Sequence, residues 1–519
     1  LITIRSLGAP QLIRDIPMAK KNTIKPKSKA KKTTSKSRTP APHATGKSAG
    51  AVRVRMYCQG LGDCFLVTFP RKSGKGEFHL LIDCGLIIGT PSASDRMKQV
   101  IDDIAATTGG TIDVLVGTHE HWDHVSGFVE PKDQFSSRLK VERTWLAWTE
   151  NPKHPLANKL RKEREDKKKK LALALDHFQR IGLHEDAGSQ RAFTQLAGLT
   201  SFFGVDAGSA ALSAAAGMGK TAQAMKYLSG QNPEFLVPGE KPPKIDVPDE
   251  IDIFVLGPPT DEKLLKKDLP TKKGKEVYEE HSSHSLVGLD VPDDSGRQEN
   301  QPFENRLGMP LAAAASDPYF SQMYDNGLDD HPSAWRRIDD IGMFAATDLA
   351  LQLDADTNNT SLVLAIRLPN GKVLLFPGDA QVGNWESWHQ IKMHDGKTTM
   401  AQLLADTVVY KVGHHGSHNA TLSKLGLDMM SSAELLAMLP VDEEVAHDKK
   451  GWLKMPFEPL MHELRKKTAG RIMRADYERK HKATDVPAAG IAGKWTASAA
   501  KFDTEPKRSL YLETFVKLK

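Results

Sequence analysis

Four metal-binding side chains stand within six residues of one another at the end of a short apolar run. The run, Val114 to Val116, is rich in β-branched residues and bounded by Gly117, so it reads as a buried strand. Directly after it come His119, His121, Asp123 and His124, in the spacing H-x-H-x-D-H. Imidazole nitrogens and a carboxylate are the ligand set that zinc and its divalent neighbours accept. A structural zinc site would more often use cysteines, and none lies nearby.

The same arrangement recurs later. Asn358-Asn359-Thr-Ser361 opens a predicted strand to Ile366, and Pro369-Asn370-Gly371 predicts a hairpin turn. The returning strand, Val373 to Phe376, delivers Gly378 and Asp379. A further strand from Thr407 ends at Gly413, with His414, His415 and His418 at its tip. Ligand-type residues at several strand ends favour one converging site. Around it, Val52 to Tyr57 predicts a half-exposed strand with alternating arginines. Residues 94–107 predict an amphipathic helix stopped by Gly109-Gly110, and 141–149 predict a strand. Strands and helices in this order, with ligands at strand C-termini, predict a layered α/β fold.

Two stretches interrupt the pattern. Residues 159–179 predict a charged helix whose Lys167 to Lys170 run reads as a solvated face. Gly217-Met-Gly-Lys-Thr suggests a phosphate loop, but the first glycine of that motif would fall at Ala214, so it reads as structural. A proline-rich connector at 238–249 leads to a strand at 251–256. Residues 268–345 are polar and read as long loops with short helices, among them His281 and His284, which read as solvated. The expected organisation is a disordered basic tail (1–50), a first half-domain (51–150), a helical insertion (151–250), a core strand (251–258), a loop-rich insertion (259–350) and a second half-domain (351–519).

The chain of 519 residues has no apolar stretch long enough to cross a bilayer. Its three cysteines, Cys58, Cys64 and Cys84, are too few and odd in number for a disulfide scaffold, and they fit a reducing, cytoplasmic setting. Between Met18 and Gly50 lie ten Lys and Arg and no acid. They exceed the whole-chain net charge of +6, so the remainder is acidic. A tail of this composition cannot fold alone, and as a mobile polycation it attracts nucleic acid or anionic surfaces without sequence preference.

Taken together, Gly62-Asp63-Cys64-Phe65, Ile82-Asp83-Cys84-Gly85, the His119 cluster, Asn359-x-Ser361, Gly378-Asp379 and Lys411-Val-Gly-His414-His415-Gly-Ser resemble the metallo-β-lactamase superfamily. Within it they resemble the branch of ComEC-type DNA-uptake proteins and related phosphodiesterase-like hydrolases. The resemblance covers about residues 51–150, 250–258 and 355–476. It implies an αββα sandwich with two divalent ions at one edge, Zn2+ first and Mn2+ as the alternative. It also implies that His119 and His121 hold one ion, Asp123 and His124 the other, and that Asp379 bridges. One of His414 and His415, with His414 favoured, would be the later ligand, leaving Asp123 and His415 as the catalytic pair. Asp83, Asn359 and Ser361 would support the ligands from behind. Most superfamily members carry a further histidine before the bridging Asp, where this chain has Asn359 and Ser361, as ComEC-like members do. That branch also places a His-Pro loop downstream of His-His-Gly-Ser; here Met455-Pro456 stands there, and His447 or His418 would be the additional ligand. The implied activity is hydrolysis of phosphodiesters, nucleic acid included, by a metal-activated hydroxide. Two rival expectations are a small-molecule or choline-phosphate-type esterase, and a metal-binding interaction module whose insertions bind a protein partner.

Overall fold

The computed structural model describes residues 50–180, 190–205, 219–267, 317–324, 338–476, 495–504 and 508–519. The basic tail, His281 and His284 lie outside them. Numbered along the chain, the strands are β1 (Ala51–Tyr57), β2 (Phe65–Pro70), β3 (Glu77–Ile82), β4 (Thr111–Ile112), β5 (Val114–Gly117), β6 (Lys140–Val141), β7 (Thr144–Ala147) and β8 (Pro233–Leu236). There follow β9 (Asp252–Gly257), β10 (Val363–Arg367), β11 (Val373–Phe376), β12 (Thr407–Lys411), β13 (Leu436–Leu439), β14 (Ile472–Arg474), β15 (Trp495–Ala497) and β16 (Tyr511–Lys517).

Two mixed sheets result, one ordered β15-β16-β1-β2-β3-β5-β7-β8 and the other β14-β13-β12-β11-β10-β9, with β4 and β6 as a separate pair. Each sheet combines antiparallel hairpins with a parallel run, β3-β5-β7-β8 in the first and β11-β12-β13-β14 in the second. The last strands, β15 and β16, return to the first sheet beside β1, although that stretch was expected to belong with the second half.

Side-chain alternation shows how the layers stack. Met56 pairs with Phe65 across β1 and β2, and the Phe65 ring lies 5.9 Å from Phe376 of β11, so this face meets the second sheet. The opposite face of β1 carries Arg55 and Tyr57, which bind Asp103 on the helix Ala93–Thr108 at 2.6 and 2.8 Å. The expected half-exposed arginines are therefore buried, Arg53 at 2% and Arg55 at 4% exposure, because ion pairs to Glu77, Asp103 and Glu513 compensate their desolvation. In the second sheet Leu364, Ile366, Leu374 and Phe376 join the core shared with the first sheet. Val363, Ala365, Val373 and Leu375 face the other way, against Trp385, Leu403 and Leu460 of three flanking helices. The fold is α/β, with two mixed sheets and flanking helices.

The two insertions pack on each other. Leu171, Leu175 and Phe178 of the helix Pro155–Arg180 share a small core with Leu196 and Leu199 of Gln190–Thr200 and with Met343, Ala346, Ala350 and Leu353 of Ile338–Asn358. The last helix corrects the expectation of loops up to residue 345 and of a strand starting at Asn358. Its apolar positions 343, 346, 350 and 353 follow helical spacing and bury a stripe that acidic neighbours obscure in the sequence. Likewise β7 is shorter than the expected 141–149 strand and ends in a 3-10 turn at Trp148–Glu150. None of the described helices is long and apolar enough to cross a membrane, and all three cysteines are buried and form no disulfide.

This shared core predicts that Leu175→Ala, at a fully buried position, destabilises the protein by about 2–5 kcal/mol. Urea unfolding followed by circular dichroism measures it; a change below about 0.5 kcal/mol would show that the helical layer does not fold with the sheets.

Candidate metal centre

The carboxyl ends of β3, β5, β11 and β12 meet at one edge of the two sheets, and each delivers part of a buried acid–histidine cluster. After β3, Asp83 adopts a left-handed conformation (φ 53°) and accepts hydrogen bonds from the Thr118 amide at 2.8 Å and the Thr118 hydroxyl at 2.6 Å. His124 Nδ1 lies 2.7 Å from the same carboxylate, and His119 Nδ1 lies 3.0 Å from the Thr118 hydroxyl. Asp83 thus receives the Nδ1 proton of His124 directly and that of His119 through Thr118. Both rings then point Nε2 into the site.

Backbone bonds pin the motif from below: Cys84 N–H donates to the His124 carbonyl at 2.9 Å, and Asp63 N–H to the Asp123 carbonyl at 3.0 Å. A Cβ on Gly85 would sit 2.1 Å from the Asp123 carbonyl, so only glycine lets these segments cross.

On the second sheet, Gly378 (φ 56°) turns the chain where a Cβ would lie 3.0 Å from Ser361 Cβ and 3.2 Å from Thr118 Cβ. Asp379 follows. Its Oδ1 accepts from Lys411 Nζ at 2.7 Å and from the His414 amide at 2.8 Å, while Oδ2 lies 3.1 Å from His124 Nε2. Any bridging role therefore falls on Oδ2. Burial opposes its ionisation, but Lys411 and His124 hold the Asp379 carboxyl well below the usual range. Burial likewise opposes a charge on His124, yet the surrounding Asp379, Asp63, Asp123 and Asp83 raise it well above an ordinary histidine. A cation bound here would displace that proton.

The two consecutive histidines take different places. Both have left-handed backbone (φ 42° and 52°), a strained turn that aims successive rings apart. His415 Nδ1 is anchored on the Pro440 carbonyl at 2.7 Å, and its Nε2 meets Asp123 Oδ2 at 2.7 Å. His414 turns aside, 3.4 Å from Gln381 Nε2 and 5.9 Å ring to ring from Phe202. Of the pair, His415 lies within the acid–histidine cluster and His414 flanks it. Asp123, His124, Asp379 and His415 each offer one donor atom within 4.8 Å of the others, a buried set of two nitrogens and two oxygens that could hold a metal ion. Asp123 Oδ1 is buried without a hydrogen-bond partner, as an atom awaiting a cation would be.

His119 Nε2 and His121 Nδ1 lie 3.0 Å apart, close to the separation of about 3.3 Å for two nitrogens on one tetrahedral zinc. Both rings are neutral at pH 7: burial lowers His119 well below its ordinary value and His121 to about 3. A second acid–histidine group, Asp63, Asp83 and His124, lies behind the first. Lys411 already occupies Asp63 at 2.6 Å, so this group supports the ligands.

Comparison of the chain with known family models and with curated proteins finds no match.

The remaining expected residues fall on both sides of the line. Ser361 accepts the Asp379 N–H at 3.1 Å and lies 3.3 Å from His119 Nδ1. Asn359 touches no ligand; it donates to the Lys267 carbonyl at 2.8 Å and holds Asn384. His447 sits half-buried on the turn Val445–Lys449, and His418 packs against Phe457 at 6.0 Å. Neither enters a cluster of metal-type ligands among the described residues.

Several contributors were not anticipated: Asp63, Thr118, Lys411, Glu120 and Asp354. Glu120, between the first two histidines, points away from the site and is buried with Lys168 at 2.7 Å, Arg164 at 2.8 Å and the Thr221 hydroxyl at 2.9 Å. The expected solvated lysine face is thus partly a buried clamp on the histidine motif, because an otherwise unpaired Glu120 demands it. Phe202 and Phe203 close over His121, at 5.2 and 5.1 Å between ring centres.

Burial alone would raise the Glu120 carboxyl, but Lys168 and Arg164 depress it from 4.5 to about 2. A depressed acid stabilises the fold above its unfolded value and loses that contribution as pH falls through the folded one. Glu120→Gln should therefore cost about 3–5 kcal/mol at pH 7. Its deficit relative to wild type should shrink as pH is lowered below 4.5. Urea midpoints across that range test it; a deficit independent of pH would refute the charge argument.

Proposed function

We propose that this chain is a metal-dependent hydrolase of the metallo-β-lactamase type acting on phosphodiesters. The observation that carries the proposal is the convergence of Asp123, His124, Asp379 and His415 within 4.8 Å, beside the paired His119 and His121, at the carboxyl ends of facing sheets. In this reading His119 and His121 would hold one ion and Asp123, His124 and His415 the other, with Asp379 as a donor shared by both. Zinc suits the nitrogen-rich donors, with manganese as the alternative. When bound, two such ions would supply Lewis acidity and a nucleophile at neutral pH.

The chain's own groups do the rest. Asp83 fixes the rings of His119 and His124, and Lys411 keeps Asp379 ionised and in place. Asp123 offers Oδ1, an oxygen that no hydrogen bond occupies, while His415 holds its Oδ2. His414, which burial holds at about 4 and hence neutral, offers a ring N–H to a phosphate oxygen or leaving group from the rim.

A second reading, hydrolysis of a small phosphoester, is favoured by burial. His121, Asp123, His124, Asp379 and His415 are all at 0% exposure, which suits a slender substrate better than a duplex. The basic segment 18–50 separates the two. If the substrate is nucleic acid, its deletion weakens cleavage of DNA and flattens the salt dependence; if the substrate is small, activity is unchanged.

The test is metal analysis with hydrolysis of a chromogenic phosphodiester and of single- and double-stranded DNA. Asp379→Ala should lower metal content and reduce turnover by about a thousandfold or more. Equal metal and equal activity in wild type and variant would refute the hydrolase reading.

A further inference from the structure

We propose that Asp354 is the carboxylate that holds the His121 ring for metal binding through Nδ1, making the helix Ile338–Asn358 a positioning element of the metal centre. This rests on the metal-centre reading above. His121 Nδ1 faces His119 Nε2 at 3.0 Å. A neutral imidazole that binds metal through Nδ1 must carry its proton on Nε2, and that N–H needs an acceptor. His121 Nε2 is buried without a hydrogen-bond partner, and so is Asp354 Oδ1. The two lie 3.8 Å apart. That gap is too short for a bridging water, which would separate them by about 4.5 Å or more, and slightly too long for a hydrogen bond. A small tilt of the ring closes it.

The surroundings leave His121 little other choice. Phe202 stacks on the ring and Phe203 meets it edge-on, and neither offers an acceptor. Asp354 is itself steadied, because Oδ2 accepts from Asn358 Nδ2 at 3.1 Å one turn further along the helix. Oδ2 also lies 3.9 Å from His414 Nε2, so one carboxylate stands between His121 and His414. The chain then runs from Asn358 through Asn359 to Ser361, which lies 3.3 Å from His119 Nδ1. The helix and the ligand pair are coupled at both ends of this short segment. An acid buried on a helix face merely for packing would not be aimed at the one unsatisfied nitrogen of the site.

The experiment compares zinc affinity, by chelator competition, in wild type, His121→Ala, Asp354→Ala and Asp354→Asn, with thermal melts of the metal-free forms as the folding control. Wild type should bind two ions, and His121→Ala should lose one. Asp354→Ala should weaken that same ion about 10- to 100-fold and leave the other unchanged. Asp354→Asn, whose side-chain carbonyl still accepts a hydrogen bond, should recover most of the loss. Histidine-selective nitrogen NMR of the zinc-loaded protein gives a second readout that does not depend on the alanine variant. The His121 proton should reside on Nε2, and its resonance should move upfield in Asp354→Asn.

A His121 proton on Nδ1, an unmoved resonance, or wild-type affinity for both ions in Asp354→Ala would overturn the assignment of Asp354 alone. If wild-type protein takes up no zinc, the metal centre and this assignment fall together.

Discussion

One buried ammonium group holds the two sheets in register at the site. Lys411, at the end of β12, lies 2.7 Å from Asp379 Oδ1 and from the Gly378 carbonyl, and 2.6 Å from Asp63 Oδ2. Asp379 belongs to the second sheet; Asp63 precedes β2 of the first. Burial disfavours the charge on Lys411, but the two carboxylates more than restore it, and its affinity for the proton is raised. The ammonium thereby permits a high density of acids in a desolvated space. Against the cost of burial, Asp379 owes its depressed carboxyl first to this ammonium and then to the raised His124 ring. A neutral side chain at 411 would leave Asp63 and Asp379 repelling each other across the sheet interface.

Much of this was legible in the sequence. Strand ends followed by Asp83, His119 to His124, Asp379 and His414–His415 could be read from apolar runs and glycines, since those patterns are local. Which of two adjacent histidines turns inward was not legible. That depends on left-handed backbone at both positions and on a carbonyl, that of Pro440, contributed from another strand end. Glu120 and Lys168 were equally hidden. Each looks like a surface residue alone, and only their meeting across 48 positions makes both buried. Lys411 stood in plain view within a recognised motif, but an ammonium beside metal-type ligands has no signature short of the fold.

The helix Ile338–Asn358 shows a different failure. Its apolar stripe was present, yet it was read as part of a polar connector because acids interrupt it. One of those acids, Asp354, is buried. Burial among Asp123 and Asp379 raises its carboxyl well above the usual range, the mark of an acid placed where local propensity would not put it. Conflicts of this kind between local pattern and final placement concentrate around the site, at Asp83, His414, His415 and Asp354.

The grip of Arg164 and Lys168 on Glu120 has an architectural consequence. Glu120 is bracketed by two of the proposed ligands, so whatever shifts its carboxylate also shifts the backbone that presents His119 and His121. The insertion supplying both cations is therefore not an ornament that could be excised to leave a minimal two-sheet core. A trimmed chain would retain an orphaned anion in the middle of its own histidine motif. Shortening this protein would require rewriting residue 120 at the same time, because the two segments form a single electrostatic unit.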